Sequence, residues 1–119
     1  MAITTTYQDV RFINLTPHEI NVVGDTNHVI PPSGMVARVA TKSQRTGNFF
    51  GINIFATTFG EIQNLPQPDG NFYIVSAIVA NAAWQQGRTD VFCPADLVRD
   101  SEGKVVGCKG FNENPESYQ

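Results

Sequence analysis

Apolar and polar positions alternate along short stretches of this chain, and proline, glycine or asparagine breaks the alternation at close intervals. Residues 10–15 read as a strand that Thr16 and Pro17 end, because proline has no N–H to give to a ladder. Residues 19–23 and 28–30 alternate on either side of Gly24, Asp25, Thr26 and Asn27, which predicts a hairpin. Pro31, Pro32, Ser33 and Gly34 form a second turn. Residues 35–40 then predict a third strand, with Val36 and Arg38 on one face and Met35, Ala37 and Val39 on the other. The polar residues 41–48 read as an exposed loop. Residues 49–58, with Phe49, Phe50, Ile52, Ile54 and Phe55, have the strongest β preference in the chain and are expected at the centre of the sheet. Residues 60–64 would continue that pairing, and Pro66 and Pro68 hold the next segment extended up to a tight turn at Asp69 and Gly70.

Residues 72–75 predict a buried strand, and Ser76 stands where an N-cap belongs. Val75, Val79, Ala82 and Ala83 fall at helical spacing, so a helix is expected over 77–86, ending at a left-handed cap on Gly87. Its alanines allow close approach to a sheet, which predicts packing across the core. A short strand over 90–93 is expected to stop at Pro94. Residues 97–99 and 104–106 pair as a C-terminal hairpin around Asp100, Ser101, Glu102 and Gly103. The pattern as a whole predicts one mainly β domain over 8–111, a small barrel or curved antiparallel sheet with one α-helix packed across it, followed by a polar tail over 112–119.

Composition supports that reading. At 119 residues the chain suits one domain, and 10 Gly and 7 Pro with only 16% charged residues favour strands joined by turns over long helices or disorder. Charge narrows the partners. Eight cations against eleven acids give a net charge of −3, with no basic stripe to drive duplex nucleic-acid binding. No apolar run reaches the length of a membrane span, and the first residues have neither the cations nor the apolar stretch of a secretory signal. A cytoplasmic protein is expected, and Cys93 and Cys108 should stay thiols in that compartment.

Candidate chemistry is sparse. There is no Gly-x-Ser-x-Gly elbow, no His-Glu-x-x-His helix, no glycine-rich phosphate loop and no metal-ligand spacing, so no catalytic residue, metal or cofactor is assigned. A Cys93 or Cys108 hydrolase using His18 remains as an alternative without a motif behind it, and both cysteines also read as small core residues. The two thiols could be neighbours if the last two strands pair. Arg88 with Asp90, and Arg99 with Asp100, could grip a carboxylate or phosphate through the planar guanidinium, or simply brace turns. Ser76 and the helix N-terminus could hold an anion. Tyr7, Tyr73, Trp84 and Tyr118, each with a polar handle, are candidates for contact surfaces.

Several separated motifs occur in order: Asn14-Leu15-Thr16-Pro17-His18, Pro31-Pro32-Ser33-Gly34 with Ala37-Arg38, Tyr73-Ile74-Val75-Ser76, Arg88-x-Asp90, and Arg99-Asp100 followed by Gly103, Gly107 and Cys108. Together they resemble a family of small, functionally uncharacterised proteins encoded by tailed phages and prophages, over about residues 12–111. The resemblance implies a phage setting, where small accessory proteins often counter host defences by binding a protein or a nucleotide signal. The expectation drawn from it is a non-enzymatic phage accessory protein, a counter-defence protein sequestering a small anionic nucleotide-type ligand, as a homo-oligomer. The expected ligand-binding residues are Asn14, Thr16, His18, Arg38, Ser76, Arg88, Asp90 and Arg99. The alternative is a structural or protein–protein interaction module, a virion accessory or protein inhibitor. Convergence of Arg38, Arg88 and Arg99 on one pocket separates the two.

Overall fold

The structure, a computed structural model, describes residues 4–7 and 10–116. It is mainly strand with one helix, and the principal sheet curls into a nearly closed barrel. In chain order the elements are β1 (Thr4–Tyr7), β2 (Val10–Asn14), β3 (Ile20–Val22), β4 (His28–Ile30), β5 (Arg38–Phe49), β6 (Ile52–Gln63), β7 (Phe72–Ile74), α1 (Ala77–Gln85), β8 (Val91–Arg99) and β9 (Val105–Asn112). Seven strands pair in the order β1-β2-β7-β8-β9-β3-β4, and β5 and β6 form a separate two-stranded sheet. The small barrel with a helix across it is therefore present, with a mixed sheet in place of a purely antiparallel one. Strands β2, β7 and β8 run parallel, as do β3 and β9, and the remaining pairs are antiparallel.

The period-two alternation sorts side chains to two cores. Ile13, Leu15, Tyr73, Val75, Val91 and Cys93 point to one face, where Val79, Ala80 and Ala83 of α1 cover them. Helix alanines on that seam bring the backbone of α1 close to the strands, as their small size predicts. On the other face Ile20, Ile30, Ile74 and Cys108 are buried, flanked by Phe12, Val22 and Phe111. Phe12, Phe72 and Phe92 cluster there with ring centroids 5.2 to 6.5 Å apart, and Phe111 stacks on Phe12 at 5.7 Å. Each fully buried Val, Leu or Ile contributes about 1.5–3 kcal/mol, so the short strands are held chiefly by these two layers.

Local chemistry sets the joints. Ser76 occupies the N-cap with extended φ and ψ, although its hydroxyl makes no capping bond. At the other end Gly87 adopts φ 85°, and the N–H groups of Gly87 and Arg88 donate to the carbonyls of Trp84 and Ala83, the left-handed stop expected from its position. The Asp100 carboxylate accepts from the Glu102 and Lys104 N–H groups in the β8–β9 turn. Gly107 permits a close approach: a Cβ there would lie 2.9 Å from the Asn21 carbonyl oxygen, where β9 runs beside β3.

Five expectations need correction. Residues 49–58 are not central to the sheet. With residues 41–48, also strand and not loop, they make an exposed arm whose two strands pair from Arg38 opposite Gln63 to Phe49 opposite Ile52. High β preference decided that this stretch is a strand but not that it is buried. The third strand starts at Arg38 and not at Met35, since Ala37 is already engaged with the Leu15 carbonyl. Pro94 does not end its strand, because β8 continues to Arg99 with Pro94 opposite Phe111. Asp90 and Phe92 face β7 through their carbonyls, so the missing N–H of Pro94 points to where β7 has already given way to α1. Finally, order extends beyond residue 111: β9 runs to Asn112, and the buried Asn114 amide donates to the Arg88 carbonyl at 2.9 Å. Tyr118 and the side chain of Tyr7 lie outside the described residues.

Candidate functional site

The β7–α1–β8 segment is a parallel strand–helix–strand unit, and its geometry opens a cleft. Thr16, Pro17 and His18 follow the carboxyl end of β2, Val75 and Ser76 follow that of β7, and Pro94 lies just beyond the β7-paired part of β8. These ends form one wall of a cleft of about 880 Å³. Glu19, Ile20 and Asn21 of the β2–β3 region and Leu97, Lys104, Val105, Val106, Gly107 and Cys108 of the C-terminal hairpin complete the lining. A crevice outside the carboxyl ends of parallel strands is where α/β sheets usually bind ligands, and Ser76, the N-cap of α1, is in the lining of this one.

The walls are mostly apolar, with polar groups gathered in a few places. Ser76 is exposed at the helix start with its hydroxyl uncommitted to capping, and Lys104 supplies a cation from the C-terminal hairpin. His18 is exposed at the mouth. The Glu19 carboxylate is in the same lining, so the cleft holds one acid and one ammonium group among its apolar residues. Among the described residues no three His, Cys, Asp or Glu side chains are grouped to hold a metal ion.

Of the eight residues singled out in the sequence, Thr16, His18 and Ser76 line this cleft. Asn14 lies beneath it, fully buried, and works as a structural staple. Its amide donates to the carbonyls of His18 at 2.8 Å and Ile30 at 3.1 Å, while its oxygen accepts from the N–H and hydroxyl of Thr16 at 2.9 and 2.7 Å. It ties the end of β2 to the end of β4. The arginines do not converge. Arg88 pairs with Asp90 through two 2.8 Å bonds and donates to the Pro66 carbonyl, an ion pair that raises its pKa further. Arg99 donates to the Gly103 carbonyl across its own turn, and Arg38 is exposed at the root of the arm. Arg88, Asp90 and Arg99 thus brace the chain locally.

The two thiols differ in relation to the cleft, since Cys108 is in its lining with His18 and Cys93 is not. Cys93 and Cys108 are buried in different cores, and burial pushes both thiols up from their ordinary value, which keeps them protonated near neutral pH. They are not cross-strand neighbours either, since Cys93 stands opposite Asn112 and Cys108 opposite Leu97. Tyr73 is buried, and its hydroxyl donates to Asp69 at 2.6 Å. Trp84 donates to the Val91 carbonyl, so both polar handles serve the fold.

Sequence reasoning missed Leu97, Lys104, Val105 and Val106. A signal was available: Leu97, Val105 and Val106 are apolar residues flanking one turn of the C-terminal hairpin, and a two-stranded hairpin cannot cover its own apolar surface. No helix among the described residues is long and apolar enough to cross a membrane. Comparison with protein-family models, curated proteins and solved structures gave no match.

Proposed function

We propose that this chain is a non-enzymatic binding protein that captures a small anionic, nucleotide-type ligand in the cleft at the carboxyl ends of β2 and β7. The observation that carries the reading is that Ser76, at the N-cap of α1 with its hydroxyl uncommitted, and Lys104 line one cleft of about 880 Å³ in which apolar residues such as Pro17, Val75 and Pro94 alternate with Thr16, His18, Glu19 and Asn21. A phosphate would sit beside Ser76, and a base or ribose would lie against Pro17 and Pro94. Because Arg38, Arg88 and Arg99 do not converge, capture by a shared arginine pocket fails, and the reading rests on a different set, Thr16, His18, Ser76 and Lys104; Asn14, Arg38, Arg88, Asp90 and Arg99 leave it. A phage accessory role in the host cytosol, countering a nucleotide signal, is the setting that the motif resemblance supports.

Thermal unfolding followed against cyclic and ADP-ribose-type nucleotides tests it. A true ligand at about one hundred times its Kd stabilises the fold by about 2.7 kcal/mol, several degrees in Tm. Lys104→Glu together with Ser76→Asp should abolish that shift. No shift up to millimolar ligand, or one that survives both substitutions, would count against the reading. The second reading, a protein–protein interaction module such as a virion accessory or protein inhibitor, is favoured by one observation, the exposed aromatic residues of the β5–β6 arm.

A further inference from the structure

The arm is incomplete as it stands. It comprises 26 residues from Arg38 to Gln63, and only its root is packed, where Val39 and Ile62 touch the α1 core and Asn64 donates to the Val36 carbonyl. An isolated two-stranded hairpin is marginal in water without a further surface to cover it. The register puts Phe49, Ile52 and Ile54 on one face near the tip, with Phe55 on the other, and all four are exposed.

The tip itself is more telling. Phe50 and Gly51 turn the hairpin with φ 53° and 82°, the mirror-image turn that normally takes Asn-Gly. A phenylalanine in that conformation is disfavoured, yet its side chain is fully exposed at 102% and makes no contribution to the core. A strained, bare aromatic residue at the end of a long arm is explained by a surface it reaches outside its own chain.

Charge and shape point to what that surface is. The arm carries three of the eight cations, Arg38, Lys42 and Arg45, and one of the eleven acids, Glu61, so it is +2 while the rest of the chain is −5. Two arms would repel each other, and an arm is attracted to a body. The body also carries an unmet apolar surface, since Leu97, Val105 and Val106 are exposed along the cleft rim.

We propose that the β5–β6 arm is an exchange arm: a second copy of this chain covers it, with the aromatic tip seated on Leu97, Val105 and Val106 of the partner subunit. The exchange is reciprocal, so it closes as a twofold dimer with both tips and both rims buried. It also sets each tip beside the other subunit's cleft.

Sedimentation equilibrium on the full chain, without nucleotide, tests the proposal independently of the ligand reading. The wild-type chain should be dimeric, with a dimer weakened by added salt. Phe49→Ser, Phe50→Asn and Ile52→Ser combined should raise the dimer Kd at least tenfold and leave the circular dichroism of the body unchanged, because these side chains are exposed. In a mixture of Phe50→Cys chains with Val106→Cys chains, a bismaleimide should join the two kinds, while the buried Cys93 and Cys108 stay unreacted. A monomeric wild type up to millimolar concentration, a triple variant that stays dimeric, or cross-links only between two Phe50→Cys chains would each overturn it.

Discussion

The body and the arm are built from the same kinds of residue and do different things with them. In the body most strands are short, β3, β4 and β7 having three residues each, and Ile20, Ile30, Tyr73 and Ile74 of these disappear into two cores. In the arm the two strands have twelve residues each, and Phe49, Ile52 and Phe55 face solvent. β-branched and aromatic residues favour an extended backbone wherever they are, because the preference lies in side-chain packing on a pleated surface. What they do not specify is whether that surface is covered from within the chain. Stability therefore resides in the body, and the apolar residues of the arm are free for association.

Substitutions can break or sharpen that division. The largest difference is expected between Ile74→Ala and Phe55→Ala. The first empties a fully buried site between the two sheet neighbours of β7 and should cost about 3–5 kcal/mol, while the second should change monomer stability by less than about 0.5 kcal/mol. Urea unfolding of both variants decides it, and equal losses would mean that the arm belongs to the cooperative core.

Asn14→Ala comes next, at about 2–3 kcal/mol, because it strips partners from the His18 and Ile30 carbonyls and from the Thr16 N–H. A normally stable Asn14→Ala protein that lost only ligand binding would return Asn14 to the cleft.

A smaller effect depends on pH. The Tyr73 hydroxyl is pushed up to about 12 from 10.0, first by burial and then by its bond to Asp69. The unfolded chain releases this proton from about pH 10 while the folded chain keeps it, so stability falls as pH rises from 10 towards 12. The bond to Tyr73 is also the largest cause of the lowered Asp69 pKa, so a matching contribution is present above pH 3.8 and fades as the carboxylate protonates in more acid solution. Tyr73→Phe should cost about 1 kcal/mol at neutral pH and flatten the fall between pH 10 and 12, leaving the decline from the two buried thiols that starts near 9.0. An alkaline profile identical to wild type would show that this hydroxyl does not govern it. The smallest effect has the opposite sign: Phe50→Asn relieves the positive φ at the arm tip and should stabilise the monomer by up to about 1 kcal/mol, read in dilute solution, while weakening the dimer.

Much of the local structure was legible in the residues. The hairpin between residues 19 and 30, the helix with its stop at Gly87, and the turn at Asp100 each depend on preferences that act over a few positions, such as a left-handed glycine or an Asp side chain bonding the next N–H groups. Three cleft residues, Thr16, His18 and Ser76, were also visible, because turn ends following strands are where polar groups surface. The role of Asn14 was not, since a buried staple and a ligand donor are the same side chain until its partners are known.

What the residues alone determined was a mainly β chain with one alanine-lined helix, because period-two and helical spacing are properties of neighbouring positions. What only the tertiary structure decided was which strands meet. Parallel pairing of β2, β7 and β8 brought together strand ends more than fifty residues apart to open the cleft, and the principal sheet curled into its nearly closed barrel without β5 and β6. Strand order and burial are set by all segments competing at once for one interior, and no stretch of sequence contains that competition by itself.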